Sequence, residues 1–165
     1  MTRTRLAFSL SFALALACGA ASAQAHDEDV DKVNGSITAE SGQTYGDLST
    51  VNGSIRIESS ARTGDADTVN GSIQAFDNVS TGGLTTVNGS IRVGTQARIA
   101  DGIETVNGSI FVDRGGDIAK GVETVNGAIG LVDTDLGAGI ETVNGDITVG
   151  IGSHVHGGIH VEKPG

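Results

Sequence analysis

Ile103-Glu104-Thr105-Val106-Asn107-Gly108-Ser109-Ile110-Phe111-Val112 is the stretch that decides how this chain folds. Its central string, Val-Asn-Gly-Ser-Ile, also begins at Val33, Val51, Val69 and Val87. It returns as Val-Asn-Gly-Ala-Ile from Val125 and as Val-Asn-Gly-Asp-Ile from Val143. The seven starts are separated by 18, 18, 18, 19, 19 and 18 residues. Seven copies at a nearly constant period mark a repeat architecture, in which each unit packs on its neighbours. A unit this short cannot hold a helix pair, and its glycines and β-branched residues disfavour helix. From Thr105 to Val112 the chain reads with period two. Val106, Ile110 and Val112 share one side with Gly108, and Thr105, Asn107 and Ser109 share the other. That alternation predicts a straight strand with its valine and isoleucine face buried.

A second apolar cluster precedes each new copy, as at Ile99 and Ile103, Ile118 and Val122, and Leu136 and Ile140. Glycines between the clusters, such as Gly94, Gly102, Gly116 and Gly121, let the chain turn sharply. Stacked in register, such units predict an all-β, single-stranded β-solenoid of about seven 18–19-residue coils. At roughly 4.8 Å per coil the rod is about 34 Å long. Left-handed β-helices keep an apolar residue at every sixth position. Ile91, Ala97 and Ile103 obey that rule and Ile55, Ala61 and Asp67 do not, which points to a right-handed coil. Asn-Gly is also the strongest two-residue hairpin signal. Folding Ile103 to Val112 back on itself would oppose Thr105 to Ile110 and Val106 to Ser109, mixing polar and apolar on both faces. The straight strand sorts the faces, so the solenoid is the preferred reading.

Composition agrees with a repeat. Of 165 residues 26 are glycine, one is proline (Pro164), none is tryptophan and 3% are aromatic. Glycine without a three-residue period excludes collagen. Regularly recurring isoleucine, valine and leucine exclude wholesale disorder. Arg3 and Arg5, then the apolar run Leu6 to Cys18, then Ala21-Ser22-Ala23 and Ala23-Gln24-Ala25, predict a cleaved bacterial secretory signal. Lipidation at Cys18 is its rival. The expected organisation is a signal peptide at 1–25, an acidic lead-in at 26–32, the solenoid at 33–161 and a tail at 162–165. Cleavage after Ala23 or Ala25 removes two arginines and the one cysteine, leaving eight basic against twenty acidic residues and a formal charge of −12. An exported chain without cysteine relies on packing and backbone ladders instead of disulfides. Its acidity excludes nucleic acid and anionic membrane as partners. With the signal removed, no transmembrane segment is expected. The destination is the periplasm, the outer surface or the medium.

In-register stacking lines up like residues. Asn34, Asn52, Asn70, Asn88, Asn107, Asn126 and Asn144 are expected to form a structural amide ladder. Threonines 50, 68, 86, 105, 124 and 142 run beside it, as do serines 36, 54, 72, 90 and 109. On this reading they form a flat hydroxyl and amide surface, which could order water. Glu104, Glu123 and Glu141 stack like charges, which splay into solvent or share a cation such as calcium. His154, His156 and His160 have even spacing that would place all three on one strand face, where a divalent transition metal could bind weakly. No other cofactor is expected. No nucleophile-and-base constellation, phosphate loop or Cys-x-x-Cys stands in the sequence, so an enzyme is not expected.

The strings VNGSIRV, VNGDITV and GIETVNG resemble the adhesin-type β-helix domain of bacterial exported proteins, a family of unknown function. The similarity spans Val33 to Val161. It implies an extracytoplasmic β-helical module, adhesive in role, with no catalytic residues to carry over. In the same repeats the chain is more loosely similar to bactofilins, polymer-forming β-helical proteins of the cytoplasm and inner membrane. The expected function is a non-enzymatic structural or adhesin-like envelope module with an envelope or surface ligand. A self-assembling filament or scaffold is the alternative, and a metal- or calcium-binding surface module a further one. Self-association is expected through the solenoid ends. The N-terminal approach from His26 to Lys32 is charged, and the C-terminal segment Val161 to Gly165 offers one proline and little else to block an edge.

Overall fold

The computed structural model describes residues 28–162. The expected signal peptide, lipidation at Cys18 and most of the C-terminal tail lie outside the described residues. Every strand pairing among them is parallel, and the chain winds as a β-solenoid through three sheets, one strand of each per turn. The first sheet holds eight strands, Val30–Asn34, Leu48–Asn52, Ala66–Asn70, Leu84–Asn88, Ile103–Asn107, Val122–Asn126, Ile140–Asn144 and Ile159–Val161. The second holds seven, from Ile37–Ala39 to Ile147–Val149, and includes Ile110–Val112. The third holds five two-residue strands, from Ser80–Thr81 to His154–Val155. Bridges from Thr44 to Arg62 and from Arg62 to Ser80 carry it toward the N-terminal end. The register advances by one repeat per turn: Asn107 pairs with Asn88 and with Asn126, and Ile110 with Ile91 and with Ile129.

Three kinds of corner bend each coil. The first, between the first and second sheets, is Asn-Gly-Ser. Here the structure corrects the expected straight strand, because the chain runs straight only to Asn107, turns, and restarts at Ile110. Inward positions are therefore Ile103 and Thr105, then Ile110 and Val112. Thr105 is only 2% exposed, whereas Val106 faces outward and is half-buried. The threonine column is thus inside the core and the valine column outside, the reverse of the sequence expectation. Five of the six hydroxyls of this column have a partner in the preceding corner, Thr142 being the exception. Thr50, Thr68, Thr86, Thr105 and Thr124 donate to the carbonyls of Gly35, Gly53, Gly71, Gly89 and Gly108 at 2.9–3.2 Å. A threonine whose hydroxyl is satisfied fills the core about as well as valine, and it ties successive coils together.

Glycine is required at this corner by close approach. A Cβ on Gly53, Gly71, Gly89, Gly108, Gly127 or Gly145 would run into the backbone carbonyl of the corresponding glycine one coil earlier. The second corner, between the second and third sheets, contains one left-handed residue per coil: Gly42, Ser60, Asn78, Gln96, Gly115, Asp133 and Gly152, with φ between 44° and 87°. At the third corner Asp29, Asp47 and Asp65 each use Oδ1 to accept the backbone N–H one coil later, of Asp47, Asp65 and Gly83, at 2.7–2.8 Å. Inside the three corners, columns of isoleucine, leucine, valine and alanine form one continuous core from Ile37 to Ile140. Cβ-branched residues suit such columns because each stacks on its own kind in a parallel ladder.

The two ends differ. At the N-terminal end Lys32 sits at the inward position that threonine occupies in later coils, and its ammonium donates to the Ser36 carbonyl at 2.8 Å. Tyr45, the one tyrosine, packs on the core, and its hydroxyl accepts the Glu40 N–H at 3.1 Å. At the C-terminal end the apolar columns run out into solvent, with Ile151 97%, Ile159 53% and Val161 42% exposed.

Candidate functional site

Two outward columns of the first sheet make the most continuous surface of the rod. One is apolar: Val33, Val51, Val69, Val87, Val106, Val125 and Val143, one valine on every coil. Val33 is 57% exposed and the other six are half-buried. The other column, two residues earlier, runs Asp31, Ser49, Asp67, Thr85, Glu104, Glu123, Glu141 and His160. Beside the valines the asparagine ladder closes the surface. From Asn52 to Asn144, each Nδ2 donates to the Oδ1 of the asparagine one coil earlier at 2.9–3.0 Å. The serines add a second thread, because Oγ of Ser36, Ser54, Ser90 and Ser109 accepts the backbone N–H of the next coil at 3.3–3.4 Å. The threonine column from Thr50 to Thr142 is buried and absent from this surface, so the hydroxyl-and-amide plane expected from sequence does not form. The face is instead valine flanked by acid and amide.

Two carboxyls of this column, Glu123 and Asp67, have raised pKa values. Burial, then the neighbouring Glu104 and Glu141 carboxylates, push the Glu123 carboxyl above its usual range. Asp67 lies deeper, beside a groove of about 120 Å³ lined by Asp65, Thr85, Asp101 and Glu104. Burial raises its pKa to about 6, with Asp65, Asp47 and Glu104 adding to the shift and a hydrogen bond from Thr85 opposing it. A carboxyl raised in the folded state favours folding when protonated and costs stability as pH climbs from the unfolded value near 4 through 6. The full shift is worth about 3 kcal/mol, and exposure of the carboxyl reduces this to about 1–2. Asp67→Asn is therefore expected to raise Tm by about 3–6 °C at pH 7.5 and to leave it unchanged at pH 4, as read by thermal denaturation at the two pH values. Among the basic residues, Lys120 pairs at 2.7 Å with Asp101, one of the groove's lining residues.

The three histidines are not gathered on one strand face. His154 stands in the third sheet, with Nδ1 2.9 Å from Asp135 Oδ1, and His160 stands in the first sheet, in line with Glu141. His156 lies in the bend between them. Even spacing implies one face only while the strand continues, and here the chain turns at Gly157 and Gly158. Among the described residues no group of three or more histidine, cysteine, aspartate or glutamate side chains is placed to hold a metal ion. The second sheet's outward column, Thr38, Arg56, Gln74, Arg92, Phe111, Gly130 and Thr148, is mixed. Its guanidinium groups use neighbouring rings, Arg56 at 5.0 Å from the Phe76 centroid and Arg92 at 6.0 Å from that of Phe111.

Sequence reasoning missed the outward valine stripe, the inward threonines and the left-handed corner. The aspartate corner was readable, since Asp29, Asp47 and Asp65 share the 18-residue spacing. Compared with protein-family models, curated proteins and solved structures, the chain matches none. Among the described residues no helix is long and apolar enough to cross a membrane.

Proposed function

We propose that this chain is an exported, non-enzymatic module of the bacterial cell envelope, structural or adhesin-like, that holds a surface ligand against its first sheet. The outward valine stripe carries this proposal. The core is complete without it, yet every one of the seven coils places a valine there, on a flat sheet where stacked apolar groups present a continuous line to a partner. The acid column alongside favours a ligand that is apolar with cationic or hydroxyl-bearing groups. The asparagines stand in a column of like residues, as do Glu104, Glu123 and Glu141, and this repetition supports binding over catalysis.

Replacing Val51, Val87 and Val125 together by lysine should leave Tm within a few degrees, since outward strand positions tolerate polar residues. Retention of the purified protein on isolated envelope fragments should fall at least about tenfold, which corresponds to 1.4 kcal/mol. A wild-type protein that does not bind, or a triple variant that binds equally well, would overturn the proposal.

A self-assembling scaffold is the second reading. It is favoured by the last described coil, where Ile151, Ile159 and Val161 are exposed. Sedimentation across a concentration series separates the two, with growing species supporting the scaffold and a constant monomer excluding it.

A further inference from the structure

The charges of the rod are sorted by side. The outward columns of the first sheet hold no lysine or arginine, and their charged residues are Asp31, Asp67, Glu104, Glu123 and Glu141. Arginines stand on the other two sheets. Arg56 and Arg92 point outward from the second, and Arg62 and Arg98 are exposed in line with the third. The two sides also share a pitch. From Asp31 to Glu104 the first sheet reads acid, serine, acid, threonine, acid, coil by coil. From Thr38 to Arg92 the second reads threonine, arginine, glutamine, arginine. Charge therefore recurs at every second coil in both columns, about 10 Å apart.

The apolar groups match as well. Beside the acids of the first sheet runs the valine stripe. On the second sheet stand Phe111, 39% exposed, and Phe76, half-buried. Arg56 lies over the Phe76 ring and Arg92 over the Phe111 ring, so each guanidinium is tied to an aromatic neighbour. The Phe111 ring leans over Gly130, where a Cβ would come within 3.3 Å of it. The second sheet thus presents what the first sheet asks of a ligand, apolar groups next to cations.

We infer that the first sheet of one copy of this chain docks side by side on the second sheet of another, with Asp67 and Glu104 facing the neighbour's Arg56 and Arg92. The contact joins two different faces, so each copy keeps one of each pair free and rods can add laterally into an open array. The strands of the second sheet are three residues long, a strip about 10 Å wide along the rod. Such a strip falls short of the roughly 800 Å² per partner of a stable complex, so a single contact is weak. The acidity of the whole chain opposes association, but charges farther apart than about 8 Å are screened at physiological salt. This inference rests on the proposed reading of the first sheet as a binding face and adds a second copy to what that face binds.

Small-angle X-ray scattering of the purified chain from about 10 μM to about 1 mM tests it. The wild type should gain cross-section with concentration. Arg56→Glu/Arg92→Glu and Asp67→Lys/Glu104→Lys, each checked for an unchanged Tm, should associate at least about tenfold more weakly, because like charges then face each other. The single variants Arg92→Glu and Glu104→Lys repeat the comparison with less disturbance of the fold. A 1:1 mixture of the two double variants should recover association, since the unaltered acid face of one meets the unaltered arginine face of the other and the two reversed faces also match. A wild type that stays monomeric or only lengthens at constant cross-section would overturn the inference. So would variants that associate like the wild type, or a mixture no better than its components. Retention of the wild type on envelope fragments separates the two readings. A monomeric rod that is retained overturns this inference alone, and an associating rod that is not retained overturns the envelope ligand alone.

Discussion

Gly108→Ala is expected to destabilise the rod by about 3 kcal/mol or more, the loss being read as a lowered urea midpoint. The added methyl would occupy the space of the Gly89 carbonyl oxygen. That oxygen cannot move aside freely, because it accepts the Thr105 hydroxyl at 3.1 Å from inside the core. The Gly108 N–H is also fixed, to the Asn126 carbonyl at 3.0 Å. Relief of the clash must therefore separate two coils or break these bonds, and either one exposes the isoleucine columns on both sides. Gly158→Ala is the control. A Cβ there meets nothing within 4 Å, so its effect should stay within about 0.5 kcal/mol.

Lysine at two adjacent positions should give opposite results. Thr105→Lys directs an ammonium into a core of Ile103, Ile110 and their stacked counterparts, where no carboxylate waits, and is expected to cost about 4 kcal/mol or more. It also removes the donor to the Gly89 carbonyl. Val106→Lys points the same side chain outward, two residues from Glu104 on the same face, and should change stability by less than about 1 kcal/mol. Equilibrium unfolding of both variants reads the difference directly. Were Val106→Lys the damaging one, the inward and outward faces of the first sheet would have to be exchanged.

The solenoid was legible because the period is carried by residues that the stacking itself requires. Val-Asn-Gly-x-Ile recurs where the amide ladder, the glycine corner and the isoleucine column each need a copy per coil. The faces of the first sheet were not legible, for a definite physical reason. Gly108 has no side chain, so a period-two reading passes through it unbroken and hides the corner at which alternation restarts. Threonine compounds this, because its polarity suggests solvent while its branched shape and a nearby carbonyl suit the core. The second corner was hidden differently: Ser60, Asn78, Gln96 and Asp133 adopt left-handed backbone without the glycine that would announce it. For the histidines, spacing within HVHGGIH described a strand, but the glycines in the middle divide it between two sheets.

The central claim is that each repeat is one coil, stacked in parallel register along a single axis. Distances between paired spin labels on the outward valine column test it most directly, with Cys18 first replaced by serine. Labels at Val33 and at Val87, Val106, Val125 or Val143 are separated by three, four, five and six coils. The mean distance should grow linearly by about 4.8 Å per coil across the series, from about 14 Å to about 29 Å. A series that levels off or shortens as the sequence separation grows would mean that the repeats fold back on one another, and would contradict the solenoid.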